Sequence, residues 1–271
     1  MQSHSILNVR IDDLATTELV ETFSDWLETG KSKIVVTPNP EMLLLSMNDS
    51  VFRGRINGAD LSLPDGVGLR YATAALTDGH LAHRHTGVDS VELLARLCKE
   101  NGKRLLLLGG DPGSADVAAK KLAGKYEGLD VHGIDPGKVE FENGRVTIER
   151  AIETVIERLE PDVIAVAFGQ RKQDAFIERY LSQFSTVKIA IGVGGAFEMI
   201  SGKKIRGPKW MRKVGLEFIW RMLIEPRRAG RIIRASIIFP VVVAVTAYRG
   251  KRLKKAIKNV FPEVIRQLIN K

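Results

Sequence analysis

Short apolar runs alternate along the first two hundred residues with longer segments whose apolar positions recur at helical spacing. KIVVT (33–37) is a β-branched run, and PEMLLLSMND after it has helical spacing. ADLSLPDG (59–66) reads as a strand ending in a loop. VDSVELLARLCKEN (88–101) reads as an amphipathic helix that Asp89 or Ser90 would cap. KRLLLLGGD (103–111), PDVIAVAFG and VKIAIGVGG (187–195) are buried strands with glycine at their ends, and LDVHGI is a further strand. PGSADVAAKKLAGKY, TIERAIETVIERLE and RKQDAFIERYLSQF are the helices between them.

Apolar strands alternating with amphipathic helices predict an α/β fold, a mostly parallel Rossmann-like sheet with helices on both faces. Ligands bind such sheets at the carboxyl ends of the strands. Here those ends read TPN, PDG, LGGD, AFGQ and GVGG. The pattern changes after about residue 202. Residues 203–271 interleave basic and large apolar side chains, and ASIIFPVVVAVTAY (235–248) is shorter than the roughly 20 apolar residues a spanning helix needs. The expected organisation is a Rossmann-like domain over 1–202 and a basic amphipathic appendage over 203–271.

Charge sharpens that division. The chain carries 41 Lys and Arg against 32 Asp and Glu. Nineteen of the basic residues but only three acids (Glu217, Glu225 and Glu263) fall after residue 202. A basic tail on an acidic body points to a polyanionic partner: nucleic acid, anionic membrane or phosphate groups. The single cysteine, Cys98, excludes an internal disulfide framework and a Cys-rich zinc site, and its apolar setting reads as packing. The N-terminal MQSHSILNVRIDDL lacks the basic start and apolar run of a secretory signal, so a reducing cytoplasm is the expected compartment.

Candidate chemistry gathers at the strand ends. Asp65 is placed either to accept a proton from a hydroxyl or to cap the helix beginning near Val67. Thr37 and Asn39 suit hydrogen bonds to a sugar or base, and equally suit capping of the helix at Pro40. Gly109, Gly110 and Asp111 form a turn of the kind that faces phosphate, without the full glycine fingerprint of dinucleotide sites or a Walker lysine. Phe168, Gly169, Gln170 and Gln173 occupy one strand end, and Gly192, Gly194 and Gly195 the next. Arg206, Arg212, Arg221, Arg227, Arg228 and Arg231 punctuate the tail among Trp210, Phe218 and Trp220, which suits a surface meeting both phosphate and lipid. His83-x-His85 has no evident third ligand and no D-x-D pair is present, so no metal and no cofactor are expected, and a leaving diphosphate would rely on backbone N–H groups and arginines.

The motifs VTPNPEML, LPDGVGL, RHTGVDSVELL, LLLLGGDPGSA, VAFGQRKQDAFI, IGVGGAFEMISGKKIRGPKWM and GLEFIWRMLIEPRRAGR, in this order, resemble the TagA/WecG/CpsF bacterial glycosyltransferases, glycosyltransferase family 26. The resemblance runs from about Thr37 to Arg231. It implies a metal-independent, inverting transfer of N-acetylmannosamine or a hexose such as glucose. The donor would be a UDP-sugar and the acceptor a polyprenyl-diphosphate-linked sugar, in cell-surface polysaccharide or teichoic acid synthesis. Asp65 would be the base and Thr37 its neighbour. Asn39, Arg84 and Gln170 would contact substrate, glycines 109–110 and 192–195 would border the nucleotide, and Arg206, Arg221, Arg227, Arg228 and Arg231 would close over the diphosphate. The resemblance also implies peripheral attachment to the cytoplasmic face of the bacterial inner membrane through the tail, and a possible homo-oligomer. Four positions depart from the family pattern: Arg171 stands where proline is usual, Asp174 where glutamate is usual, His83 where glutamate is common, and Gly207, a mild change, where alanine is usual between Arg206 and Pro208. A nucleic-acid-binding protein using the basic tail and an NAD-dependent enzyme on the same fold are the alternatives. The run ASIIFPVVVAVTAY argues against the first, so no nucleic-acid partner is expected. The incomplete glycine fingerprint argues against the second.

Overall fold

Each apolar run becomes a strand where β-branched and leucine side chains can be buried on both faces. The computed structural model describes residues 1–28, 30–204, Met211, Trp220 and 229–269. Its main sheet contains β3 (Lys33–Val36), β4 (Leu61–Ser62), β5 (Leu105–Gly109), β6 (Val131–Ile134), β9 (Val163–Ala167) and β10 (Ile189–Gly192), in the spatial order β4-β3-β10-β9-β5-β6. All of its described pairings are parallel. Chain order leaves β3 for one edge and returns through β5 to the other, so the sheet is doubly wound. Its switch point lies by the ends of β3 and β10.

Helices α1 (Thr16–Glu28), α5 (Gly87–Glu100), α6 (Ser114–Lys125) and α9 (Ala196–Ile200) bury their apolar stripes in a core that includes Phe23, Leu94, Leu105, Leu107 and Phe197. α8 (Lys172–Tyr180) and α7 (Arg150–Leu159) cover another part of the sheet around Leu106, Val166 and Phe176. A third cluster joins α2 (Pro40–Asn48), α3 (Ser50–Gly58) and α4 (Val67–Leu76) to the hairpin of β1 (Gln2–Ile6) and β2 (Val9–Asp13). A small antiparallel ribbon, β7 (Glu140–Glu142) and β8 (Arg145–Thr147), lies beside α8.

Two sequence expectations are corrected. The strand expected over 59–66 is in register with β3 only at Leu61–Ser62; beyond it the Leu63 and Asp65 N–H groups still donate to the Val36 and Pro38 carbonyls, on either side of Pro64. The helix expected from Val88 begins at Gly87 and is capped by Thr86, not by Asp89 or Ser90. The Thr86 side chain accepts from the Asp89 N–H at 3.2 Å and Asp89 accepts from the Thr86 N–H at 3.2 Å, a reciprocal box that places Asp89 inside the first turn. Cys98 is buried, and burial pushes its thiol up to about 12, in keeping with packing.

The run 235–248 proves to be part of one longer helix, α10 (Ala229–Arg249). Its 21 residues have the length and apolarity of a membrane span, more than the 14-residue run had implied. It widens to a π-helix over Arg234–Ile238, where the Phe239 N–H donates to the Arg234 carbonyl. The adjacent Pro240 supplies no N–H to the regular ladder, which accounts for the widening. Phe239, Val243 and Ala247 then face inward with Leu69, Ala72 and Ala75. α11 (Leu253–Ile269) also packs along α4. Asp78 pairs there with Lys255 at 2.6 Å and with Arg252. The opposite faces expose Ile237, Val241, Val245 and Tyr248 on α10 and Ile257 and Phe261 on α11.

Candidate functional site at the carboxyl edge of the sheet

Hydrogen bonds tie the strand ends to one another. The Asp65 N–H donates to the Pro38 carbonyl at 2.8 Å, joining the turns after β4 and β3. The Thr37 hydroxyl donates to the Gly192 carbonyl at 2.7 Å, joining β3 to β10. Val193 N–H donates to Val166 carbonyl at 2.9 Å, and Gly110 N–H to Ala167 carbonyl at 3.0 Å, carrying the chain of contacts to β9 and β5. The strand-end residues Asp65, Thr37, Asn39, Gly192, Gln170, Gly109 and Gly110 therefore stand along one continuous edge that crosses the switch point.

Asp65 is half-buried, and the N-cap position of α4 belongs to Gly66. Thr37 is buried and its proton is committed to β10, so it fixes the spacing of two strand ends. Asn39 does cap α2, accepting from the Met42 N–H at 3.0 Å. Its amide oxygen also lies 3.5 Å from Gln170 Nε2, so capping and a place in the site coexist.

The glycine positions have different uses. At Gly109, φ is +102° and a Cβ would sit 2.7 Å from the Phe168 ring. Phe168 itself packs edge-on to Phe176, with ring centroids 5.1 Å apart. At Gly192 a Cβ would come within 2.6 Å of Gln173 Nε2. Gln173 is buried and its Oε1 accepts from the Gly194 N–H at 3.0 Å, so it shapes the loop that Gly194 and Gly195 form. Gly169 has φ of +79° and precedes Gln170 in the turn into α8.

The departures at 171 and 174 form one device. Arg171 holds φ at +69°, a region costly for a side chain with a Cβ. Its guanidinium pairs with Asp49 at 2.6 Å, and its N–H donates to Asp174 at 3.2 Å. Asp174 is buried, and desolvation raises its carboxyl to about 7 despite that backbone bond. The pair clamps the turn that presents Gln170 and Gln173.

Arg84 is exposed, in a loop tethered where Asp13 accepts from the N–H groups of Ala82 and His83 at 2.9 Å. Arg231 reaches the edge from α10. Its Nε donates to the two carboxylate oxygens of Glu41 at 2.9 and 3.1 Å. Arg206, Arg221, Arg227 and Arg228 lie outside the described residues. Glu41 is a candidate site residue that the sequence pattern hid. It stands in a helical apolar run, and only its buried setting beside Gln170 and Arg231 marks it.

A doubly wound sheet with a polar, glycine-lined carboxyl edge at its switch point has the architecture in which α/β proteins place their ligands. The chain belongs to the glycosyl transferase WecG/TagA/CpsF family, whose model matches residues 4–253, and it is accordingly a glycosyltransferase. A relative from Staphylococcus aureus (strain MRSA252) is 29% identical over 93% of this chain and 94% of its own length. It is named N-acetylglucosaminyldiphosphoundecaprenol N-acetyl-beta-D-mannosaminyltransferase. A Bacillus subtilis (strain 168) relative of the same name is 26% identical over 86% of this chain and 88% of its own length.

Proposed function

We propose that the chain transfers a sugar, N-acetylmannosamine or a hexose, from a UDP-sugar to a sugar on a polyprenyl diphosphate, with inversion and without a metal ion. The choice of acceptor follows the substrate in the relatives' names. In this reading an acceptor hydroxyl attacks the donor's anomeric carbon and gives its proton to Asp65. The bond to the UDP oxygen breaks, and the diphosphate leaves toward strand-end N–H groups and the arginines of the tail. The observation that carries the reading is the hydrogen bond holding Asp65 against Pro38, beside Thr37 and Asn39 on the switch-point edge.

The apolar outer face of α10 and α11, flanked by Arg249, Lys251, Lys254 and Lys258, supports attachment of the catalytic body to the anionic cytoplasmic face of a membrane. One face of α10 is already committed to α4, which favours a helix lying on the bilayer surface. Asp65→Asn is expected to lower kcat by roughly 10²–10⁴ with donor affinity retained. Normal turnover of that variant would remove Asp65 from the role of base.

A further inference from the structure

Glu41 is the point where three separate parts of the chain meet. It lies in the first turn of α2, directly after Pro40, and is buried. Gln170 Nε2, from the turn after β9, donates to its Oε2 at 2.8 Å. Arg231 Nε, from α10, donates to both of its oxygens, and an Arg234 nitrogen stands 3.8 Å away. The N-terminal end of a helix attracts a carboxylate, so Glu41 is seated by its own helix as well as by its partners.

Two consequences follow from donor and acceptor capacity. An ionised carboxylate only accepts, so Gln170 must turn its NH₂ toward Glu41. Asn39 Oδ1, 3.5 Å away on the same side, reinforces that orientation. Among the described residues the Gln170 amide oxygen is then the atom left for a ligand, and it accepts from a hydroxyl or an amide N–H. Arg231, in turn, is gripped through Nε. Its side chain remains 42% exposed, which leaves the Nη nitrogens for an outside anion.

We infer that Glu41 is a positioning residue. It locks the appendage helix onto the sheet edge, aims the Nη edge of Arg231 at the acceptor's diphosphate, and sets Gln170 to receive a donor group of the sugar. The inference deepens the proposed reading and rests on it for the identity of the anion, but the lock itself does not depend on any substrate.

The test is Glu41→Gln in the full-length protein, which keeps the shape and removes the charge. Hydrogen exchange of the α10 amides near Arg231 and Arg234 should speed up by about tenfold or more while β5 and β9 are unchanged, a coupling of ordinary size for a lost ion pair and its hydrogen bonds. The KM for the lipid-diphosphate acceptor should rise by about tenfold with kcat changed less than about threefold, and this rise should vanish in an Arg231→Ala background. Glu41→Asp, which keeps the charge but retracts it, should restore part of the protection and serves if the glutamine variant folds poorly. Unchanged exchange in α10, or additive effects of Glu41→Gln and Arg231→Ala, would overturn the inference. If no donor is turned over by the unaltered protein, the proposed function fails, and the exchange measurement alone judges the lock.

Discussion

Phe239→Ala is the most informative perturbation of how the appendage is seated. The ring is 1% exposed and packs at the start of α4, where a Cβ on Gly68 would lie 3.7 Å from it. Truncating a buried phenylalanine costs about 3–5 kcal/mol. The remaining apolar anchors are small, since Val243, Ala247 and Ala256 are the other buried appendage members of that cluster. The ion pairs at Asp78 are on the surface, where such pairs contribute little. At about 1.4 kcal/mol per power of ten, the docked-to-undocked ratio of α10 should fall by roughly two to three and a half powers of ten. Hydrogen exchange read peptide by peptide would show this as lost protection confined to α10 and α11, with β5, β9 and β10 retaining theirs. Unchanged protection in α10 would refute the anchoring role. Equal loss throughout the sheet would show that Phe239 belongs to the global core and not to a separable docking contact.

Burial of Asp174 predicts a definite pH dependence. Its carboxyl titrates near 7 in the folded chain against about 3.8 unfolded, so the folded state holds the extra proton between those values. Stability should therefore fall as pH rises from about 4 to 7 and level off above, by up to about 4 kcal/mol from this group. Denaturant titrations at pH 5 and 8 should show a smaller difference for Asp174→Asn than for the unaltered protein, and an equal difference would contradict the assignment. Gly192→Ala should push Gln173 off Gly194 and lower kcat/KM by about tenfold or more, at a stability cost of about 1–3 kcal/mol, with steady-state kinetics as the check. Paired Ile237→Glu and Val241→Glu changes remove two exposed apolar side chains. They should weaken flotation with anionic vesicles by about 100-fold while leaving the melting temperature nearly unchanged.

The sheet was legible because its strands are buried on both faces and so appear as unbroken apolar runs. LLLLG, VIAVA and IAIG are strands where the pattern placed them. The β1–β2 hairpin was not, since its burial is interrupted by exposed Gln2, Ser3 and Ser5 and its turn uses Leu7 and Asn8 at positive φ, outside the usual glycine signals. α1, α3 and the β7–β8 ribbon were also unread. Strand-end positions named most of the site edge, because a parallel sheet delivers those residues to one side whatever their identity. What each side chain does there was not readable. Thr37 and Gln173 spend their polar atoms on neighbouring strands, and Glu41 acquires its partners from residues 129 and 190 positions away. Arg171, a departure from the family pattern, is intelligible only with Asp49 and Asp174 beside it.

Sugar transfer to a lipid diphosphate is tested most directly by UDP release from a panel of UDP-sugars, with a short polyprenyl-diphosphate-linked N-acetylglucosamine as acceptor and chelator in place of metal. Acceptor-dependent release with one donor, lost in Asp65→Asn, is the expected result. Release that is independent of acceptor, or no release from any donor while NADH or nucleic acid binds tightly, would contradict it.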